Sequence, residues 1–593
     1  MTVGLLSFAP VYVNGLLALL CVFALPGLVF VRAFSIPNLP QRLLVILVVS
    51  LAANHLLVIL IATLHLAPLL TYRFVVFTLV AWLACLTVMD ALGRKSPLGM
   101  GHNAAVLRAS DAGWLVLCLG IVCLAYFNIW SKGVPRVFGD NDVSMSWNTW
   151  AMIWSHGLFP TGSIGYPQFI PTVWAVTYIF TGAEEHYFAY YIYLVLLIAP
   201  LVLVSTWLNR IGWQWALLPV LAWVWFVAEV QDHWLRATLE AGFPDWTAAV
   251  AGLCGVALFV NNDPGSHFDR PKIVTALTSE CLILLAAATK PIYLLMAIAI
   301  LLRICLDAVA LLEGKHRTRF LIAAIGLLTA FALAYLSDYL HLAAYWKLYQ
   351  PLSGPAERLR RAAGFLSGNF SLPFQMVACL GIVLSAFLPR VRWLTLPLLI
   401  GAWLWADKAS YDMRNLFGVL VVSVFLALFV SARKVIVTKS ASAGRQWRTS
   451  DALVAIILMV FAVVSTRTVA LDDADLRQRF RTEHLAIGGG TEVNRKLLDL
   501  LDRGCFVLTA RDYFWTMPAF ESHLSQLQFF HSNWELPAEV AKAFDGNPGC
   551  TAILYPFLEA RESVIDYIKT MSEQRHYVSL AEGNGLILLG PAP

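Results

Sequence analysis

Apolar runs of about 20 residues recur from near the N-terminus to residue 468 of this 593-residue chain, and no other feature limits its fold so strongly. Such a run, as a helix, covers the hydrocarbon core of a bilayer, about 30 Å. Backbone groups in lipid must be satisfied within their own segment, so the runs have to be helical. Only 13% of the residues are charged, about half the fraction of an average soluble protein, and mean hydropathy is +0.70. A mainly α, polytopic membrane protein is expected. Spans are predicted at 10–32, 42–65, 72–92, 112–130, 186–207, 212–229, 246–262, 274–289, 291–308, 320–338, 373–389, 393–407, 415–432 and 451–468, about fourteen in all. The first apolar run, Val11–Phe30, has no basic flank before it and no small-residue cleavage site after it, so it reads as a retained span.

The basic loops orient these spans. Arg32 and Arg42, then Arg94, Lys95 and Arg108, then Lys315, Arg317 and Arg319, and last Arg433, Lys434, Lys439, Arg445 and Arg448 fall on one side. The positive-inside bias makes that side the cytoplasm. The chain start, the loop holding Asp140 and Asp142, the 230–245 loop, the 339–372 loop and everything after about residue 469 then face outward. The net charge of +5 follows from these loops, and no basic tract suggests nucleic acid.

The stretch Phe138-Gly-Asp-Asn-Asp-Val-Ser-Met-Ser-Trp-Asn-Thr-Trp-Ala-Met-Ile-Trp154 sets Asp140 and Asp142 about ten residues past an apolar run. Carboxylates at a membrane surface are costly unless they have a function. The plain alternative is a solvated Gly-Asp-Asn turn, and Asp142 also suits a helix N-cap, so Asp140 ranks first as a base. Val143, Trp147, Trp150 and Trp154 recur at spacings of four, three and four, which puts them on one helical face. Tryptophan on a helix too short to span is expected in the membrane–water interface. Tyr166–Gly182, with prolines at 167 and 171, is expected as a second juxtamembrane helix. A crossing there would reverse every later loop.

Beyond residue 469 helical and strand patterns alternate: a helix around Val493–Leu501, strands at Cys505–Thr509 and Thr551–Tyr555, a helix near Glu559–Met571, and a strand pair, Tyr577–Leu580 and Gly585–Leu589, joined through Glu582-Gly-Asn-Gly. A small C-terminal extracytoplasmic α/β domain spanning 469–593 is predicted. Gly488-Gly-Gly-Thr is a linker, because the Lys-Ser/Thr of a phosphate loop is missing. Eight of the ten cysteines lie in apolar runs and read as small core residues; only Cys505 and Cys550 lie in a polar region. They can pair if that region is extracytoplasmic. No cysteine or histidine has zinc-ligand spacing.

Three further pieces surround the acidic loop. Ala241-Gly-Phe-Pro-Asp-Trp246 enters a span, Ala287-Ala-Thr-Lys-Pro291 interrupts an apolar stretch, and Ser410-Tyr-Asp-Met-Arg-Asn-Leu416 opens a late span. Together with the Tyr166-Pro dipeptide and the interfacial helices, they resemble the GT-C superfamily over roughly residues 110–470. The likeness is to its aminoarabinose-transferase and protein-mannosyltransferase types. The chain departs from that pattern by about three extra spans before the acidic loop, and by Arg-Asn where those enzymes carry Arg-Tyr.

The resemblance implies an inverting transfer of a sugar from a polyprenyl-phosphate donor to a hydroxyl of a lipid, glycan or protein acceptor. It implies the extracytoplasmic face of a bacterial inner (plasma) membrane, and the basic loops put both termini outside. A phosphate leaves readily, so such an enzyme needs a base for the acceptor hydroxyl and cations for the departing phosphate. Asp140 or Asp142 would be the base, and Asp245 a second acid that orients the acceptor. Lys290 and Arg414 would hold phosphate, Arg because it grips oxyanions bidentately. Asp412, Asn415, His233, Arg236 and Tyr166 complete the expected substrate contacts.

No cofactor is certain; Asp140, Asp142 and Asp245 are the set that would hold a divalent cation. Each residue also has a bland reading: Asp245 as a helix-start acid, Lys290 as a snorkelling lysine, Asp412 as the partner of Arg414, and Arg358, Arg360 and Arg361 as a solvated face. Two other classes compete with the enzyme. A transporter or flippase of lipid-linked glycans suits many spans, but no internal repeat is visible. A non-catalytic subunit of a polysaccharide assembly would put the function in the tail.

Overall fold

A computed structural model describes, in its long stretches, residues 9–32, 38–91, 109–125, 143–160, 166–182, 186–230, 238–262, 270–348, 355–409, 413–437, 490–509, 525–529, 550–556 and 576–591 without 584, with isolated residues such as Phe138 between them. The protein is mainly α-helical, with a small α/β unit at its C-terminal end.

The helices in chain order are α1 (Val11–Phe23), α2 (Leu25–Arg32), α3 (Leu39–Thr63), α4 (Pro68–Ala91), α5 (Ala109–Ala125), α6 (Thr149–Ser155), α7 (Phe169–Thr181), α8 (His186–Leu208), α9 (Trp213–Glu229) and α10 (Pro244–Asn261). They continue as α11 (Arg270–Ala287), α12 (Leu294–Leu311), α13 (Gly314–Leu348), α14 (Pro355–Asn369), α15 (Leu372–Ser385), α16 (Arg392–Leu404), α17 (Phe417–Val437) and α18 (Gly490–Asp502).

Among the described residues, eight helical segments are long and apolar enough to cross a bilayer: Val11–Arg32, Leu39–Thr63, Pro68–Met89, His186–Leu208, Pro244–Asn261, Pro291–Leu311, Gly314–Leu336 and Met413–Arg433. Five further predicted spans are the helices α5, α9, α11, α15 and α16, which are shorter or less apolar. The predicted span 451–468 lies outside the described residues. Helix α13 runs 35 residues and so reaches well into the predicted 339–372 loop, and α14 turns by 119° into α15.

Burial ranks the spans. Pro244–Asn261 is 89% buried over its apolar window, whereas Pro68–Met89 is 11% buried. Helix α10 is therefore the centre of the bundle and α4 its rim, whose large apolar side chains, such as Phe74 and Phe77, are exposed as a lipid-facing surface requires.

The segment 143–181 corrects one expectation. Val143, Trp147, Trp150 and Trp154 are all buried within protein instead of facing the membrane interface. A π-helical turn, Val143–Asn148, precedes α6, and the tryptophans pack inward, with Trp154 Nε1 donating to Gln168 Oε1 at 3.0 Å. All thirteen residues of α7 are buried as well. The Phe169 N–H donates to the Ala288 carbonyl at 3.2 Å, and the Leu5 N–H donates to the Phe180 carbonyl at 2.6 Å. The two ends of α7 thus meet the chain start and the 288–290 break, both of which the charge pattern places on one side. Helix α7 caps that side of the bundle, as a helix that does not cross should.

The tail forms a five-stranded sheet of order β2-β1-β3-β5-β4. Its strands are β1 (Phe506–Thr509), β2 (Leu527–Phe529), β3 (Thr551–Pro556), β4 (Tyr577–Gly583) and β5 (Leu586–Pro591). β1 pairs in parallel with β2 and β3, and β5 runs antiparallel to β3 and β4. Helix α18 packs Val493, Leu497, Leu500 and Leu501 onto the sheet. A disulfide joins Cys505 to Cys550 at the head of the neighbouring strands β1 and β3. Most of the predicted helix 559–571 lies outside the described residues.

Candidate functional site

The site is assembled at the N-terminal end of α10. Two tyrosines of α8 hold the turn before it: Tyr193 donates to the Leu239 carbonyl at 2.8 Å and Tyr190 to the Glu240 carbonyl at 2.5 Å. The turn closes with Phe243 N–H donating to the Thr238 carbonyl at 3.2 Å and Trp246 Nε1 donating to Thr238 Oγ1 at 3.0 Å. Gly242 takes φ +95°, which a side chain tolerates poorly, and a Cβ there would meet the Phe138 ring at 2.6 Å. Pro244 then starts the helix and Asp245 falls in its first turn, where unpaired N–H groups and the helix dipole favour a negative charge.

The opposing charge comes from the break between α11 and α12. The residue before a proline is driven out of the helical region, and Lys290, before Pro291, is extended at φ −140°, ψ 125°. A 3₁₀ turn, Pro291–Tyr293, restarts the chain. Tyr293 is fully buried and slotted between Gly252 of α10 and Gly418 of α17; a Cβ on either glycine would approach its ring to 2.3 Å. The break is thereby fixed against the helix that carries Asp245.

Lys290 Nζ lies 2.8 Å from Asp245 Oδ1, with the two side chains 9% and 1% exposed. The ammonium also stands 5.3 Å from the ring centroids of both Trp147 and Tyr166, within the range of a cation–π contact. Trp147, Trp150 and Tyr166 pack against one another around it. The contact with Asp245 is ionic: among the described residues neither carboxylate oxygen receives a well-directed hydrogen bond, and both are buried. A buried carboxylate normally fills its acceptor positions; Asp245 has a charge partner and spare acceptor capacity.

A second cation stacks on the turn that precedes α10. Arg414, in the 3₁₀ turn Met413–Leu416, holds its guanidinium carbon 4.1 Å from the ring centroid of Phe243, two residues before Asp245. Arg414 and Asn415 are half-buried. Of the residues singled out in the sequence, Asp245, Lys290 and Tyr166 come together, and Arg414, followed by Asn415, stacks on Phe243 in the turn before α10. Asp140, Asp142, His233, Arg236 and Asp412 lie outside the described residues.

Both flanks of the acidic loop reach this place. Phe138 is buried against Gly242 and stacks on Trp174 at 4.4 Å, and Trp147 covers Lys290. Among the described residues no three His, Cys, Asp or Glu side chains gather as a metal site. Asp245 is the one member of the expected acid set that is described, and Lys290 occupies one of its oxygens.

Sequence reasoning placed the tryptophans on one face but not Trp147 over Lys290, and it passed over Tyr293 and His186. Tyr293 follows the Lys-Pro break by three residues, and His186 is a polar residue opening an apolar span; both were legible as positions, not as partners. Arg358 of the Arg358/Arg360/Arg361 cluster pairs with Asp407 at 3.0 Å, and Arg360 with Glu357 at 3.0 Å, so these two serve local structure.

No protein-family model and no curated protein matches the chain. Among solved structures it is similar to the archaeal oligosaccharyltransferase AglB from Archaeoglobus fulgidus in complex with an inhibitory peptide and a dolichol-phosphate, at a TM-score of 0.38 and 13% identity over 75% of this chain and 69% of that one. The apo form of the Archaeoglobus fulgidus oligosaccharyltransferase gives a TM-score of 0.37 and 12% identity with the same coverage.

Proposed function

We propose that the chain is an extracytoplasmic membrane glycosyltransferase that moves a sugar from a polyprenyl-phosphate donor to a hydroxyl of a lipid, glycan or protein acceptor. The observation that carries this reading is the buried Asp245–Lys290 pair, 2.8 Å apart, walled by Trp147 and Tyr166 and lying at the end of the bundle where both flanks of the acidic loop meet. The disulfide Cys505–Cys550 supports an outward-facing tail, since such bonds persist in oxidising compartments.

In this mechanism the acceptor hydroxyl attacks the anomeric carbon while its proton passes to Asp140 or Asp142. The bond from that carbon to the phosphate oxygen breaks, the electron pair leaves with the phosphate, and the sugar inverts. A second donor group on the acceptor bonds to Asp245 Oδ2, which orients it. Lys290 holds Asp245 in place from its other side, and Arg414 meets the negative charge that grows on the leaving phosphate. Should a divalent cation take part, Asp245 with the loop acids would hold it and would supply Lewis-acid stabilisation.

The test is transfer from a labelled polyprenyl-phosphate sugar by purified protein in lipid nanodiscs. Asp140→Asn and Asp142→Asn, made singly, are expected to leave one variant at about 1% of wild-type turnover or less, the scale of a lost general base. Full turnover in both would remove the acidic loop from the mechanism and the transferase reading with it.

A further inference from the structure

We infer that His186 is a positioning residue that fastens the two ends of the acidic loop to one another, and so sets Trp147 and Lys290 in register with the turn that carries Asp245. What is transferred rests on the reading above; the tie itself does not.

His186 opens α8 and is fully buried. Its Nδ1 accepts from the Phe138 backbone N–H at 3.3 Å, and the side-chain amide of Asn148 lies 2.8 Å from its Nε2. Tyr178 of α7 bonds the same amide. The Tyr178 hydroxyl donates to Asn148 Oδ1, and this turns the amide's Nδ2 end toward His186 Nε2. One ring thus bridges Phe138, immediately before the acidic loop, and Asn148, immediately after Trp147.

Each bridged residue leads into the site. The Phe138 ring lies 5.5 Å from the His186 ring and packs where a Cβ on Gly242 would be, three residues before Asp245. Trp147, next to Asn148, lies over Lys290. Loosening His186 would leave the Asp245–Lys290 contact itself untouched but let its aromatic wall and the loop slide, and misplacement of about 1 Å can cost about a hundredfold in rate.

The experiment compares wild type, His186→Ala, Asn148→Leu and Tyr178→Phe in nanodiscs by hydrogen–deuterium exchange and by steady-state kinetics. In His186→Ala, peptides covering Phe138–Asn148 are expected to exchange about tenfold faster while peptides of α10 and α17 keep wild-type protection, as for a local opening. The kcat should fall about a hundredfold, with KM for the donor held within about threefold. Asn148→Leu should match it, and the double variant should lose little more, because the two act on one tie. Tyr178→Phe, which keeps the ring in place, should show a smaller change of the same sign and guards against a His186 variant that does not fold. Unchanged exchange in the folded variants overturns the tie, and faster exchange with unchanged kcat overturns the positioning role. A wild-type protein that transfers no lipid-linked sugar would end the transferase reading, while the exchange result still decides the tie.

Discussion

The two ends of the helical bundle treat buried charge in opposite ways. At the end formed by the C-termini of α10 and α12, both oxygens of Asp307 are taken: Arg303 lies 2.7 Å from Oδ1 and Arg390 donates to Oδ2 at 3.1 Å. Arg390 also donates to the Phe259 carbonyl at 2.9 Å and lies over the Phe259 ring. About 20 Å away along the same two helices, Asp245 has, among the described residues, one ammonium at 2.8 Å and no well-directed hydrogen bond at either oxygen. A carboxylate whose two oxygens are each held by an arginine is a fastening, because a ligand would have to compete with bonds already made. A carboxylate held by one cation, in a place walled by rings, has capacity left for a ligand.

Exchanging the acids between these roles is the most direct way to break the contrast. Asp245→Asn removes the charge but keeps the shape, and turnover of the folded protein is expected to fall about a hundredfold, beside a stability cost of about 3 kcal/mol for Lys290 left buried without its partner. Asp307→Asn leaves two arginines facing a neutral amide, and should cost about 3 kcal/mol of stability with kcat retained in the folded fraction. Thermal melts beside transfer assays read both quantities. If Asp307→Asn inactivates without destabilising, or Asp245→Asn leaves folded molecules active, the two ends do not divide the work in this way.

The sequence states the length of a helix better than the direction in which a face points. Runs of about 20 apolar residues located the spans, the proline after Lys290 located the break, and Pro244-Asp245 located a helix start, because each follows from local backbone chemistry. Trp147, Trp150 and Trp154 shared a face in the pattern, yet lipid and protein core are both apolar, so spacing alone could not tell an interfacial belt from the wall of a site. The π-helical turn at Val143–Asn148 left no mark in the periodicity. Strand β2, only three residues long, was too short to show alternation. Cys505 and Cys550 were legible as a pair because the other eight cysteines lie in apolar runs. His186 was invisible as a tie, since its partners Phe138 and Asn148 are 48 and 38 residues away in sequence.

The rigidity of the open end sharpens the comparison further, because spare acceptor capacity is useful only if the groups around it stay put. Gly418→Ala inserts a Cβ at 2.3 Å from the Tyr293 ring, which is held on its other side by Gly252. The ring has no room to yield, so overpacking is expected to cost about 2 kcal/mol of stability. Because Tyr293 follows Lys290 by three residues, folded Gly418→Ala should also lose more activity than Asp307→Asn does. An alanine accepted with neither effect would mean that the Lys290 break is not fixed by Tyr293.

The smallest expected effect lies in the aromatic wall, and it separates a charge role from a space-filling one. Lys290 stands 5.3 Å from the Tyr166 ring, and a cation–π contact at a partly desolvated site is worth about 1 kcal/mol. Tyr166→Leu should therefore lower turnover about fivefold, whereas Tyr166→Phe, which keeps the ring face, should stay within about twofold of wild type. If both variants lose equally, the hydroxyl and not the ring is what Tyr166 contributes. If neither loses, Asp245 alone fixes the ammonium, and the open end of the bundle depends on one contact where the closed end depends on several.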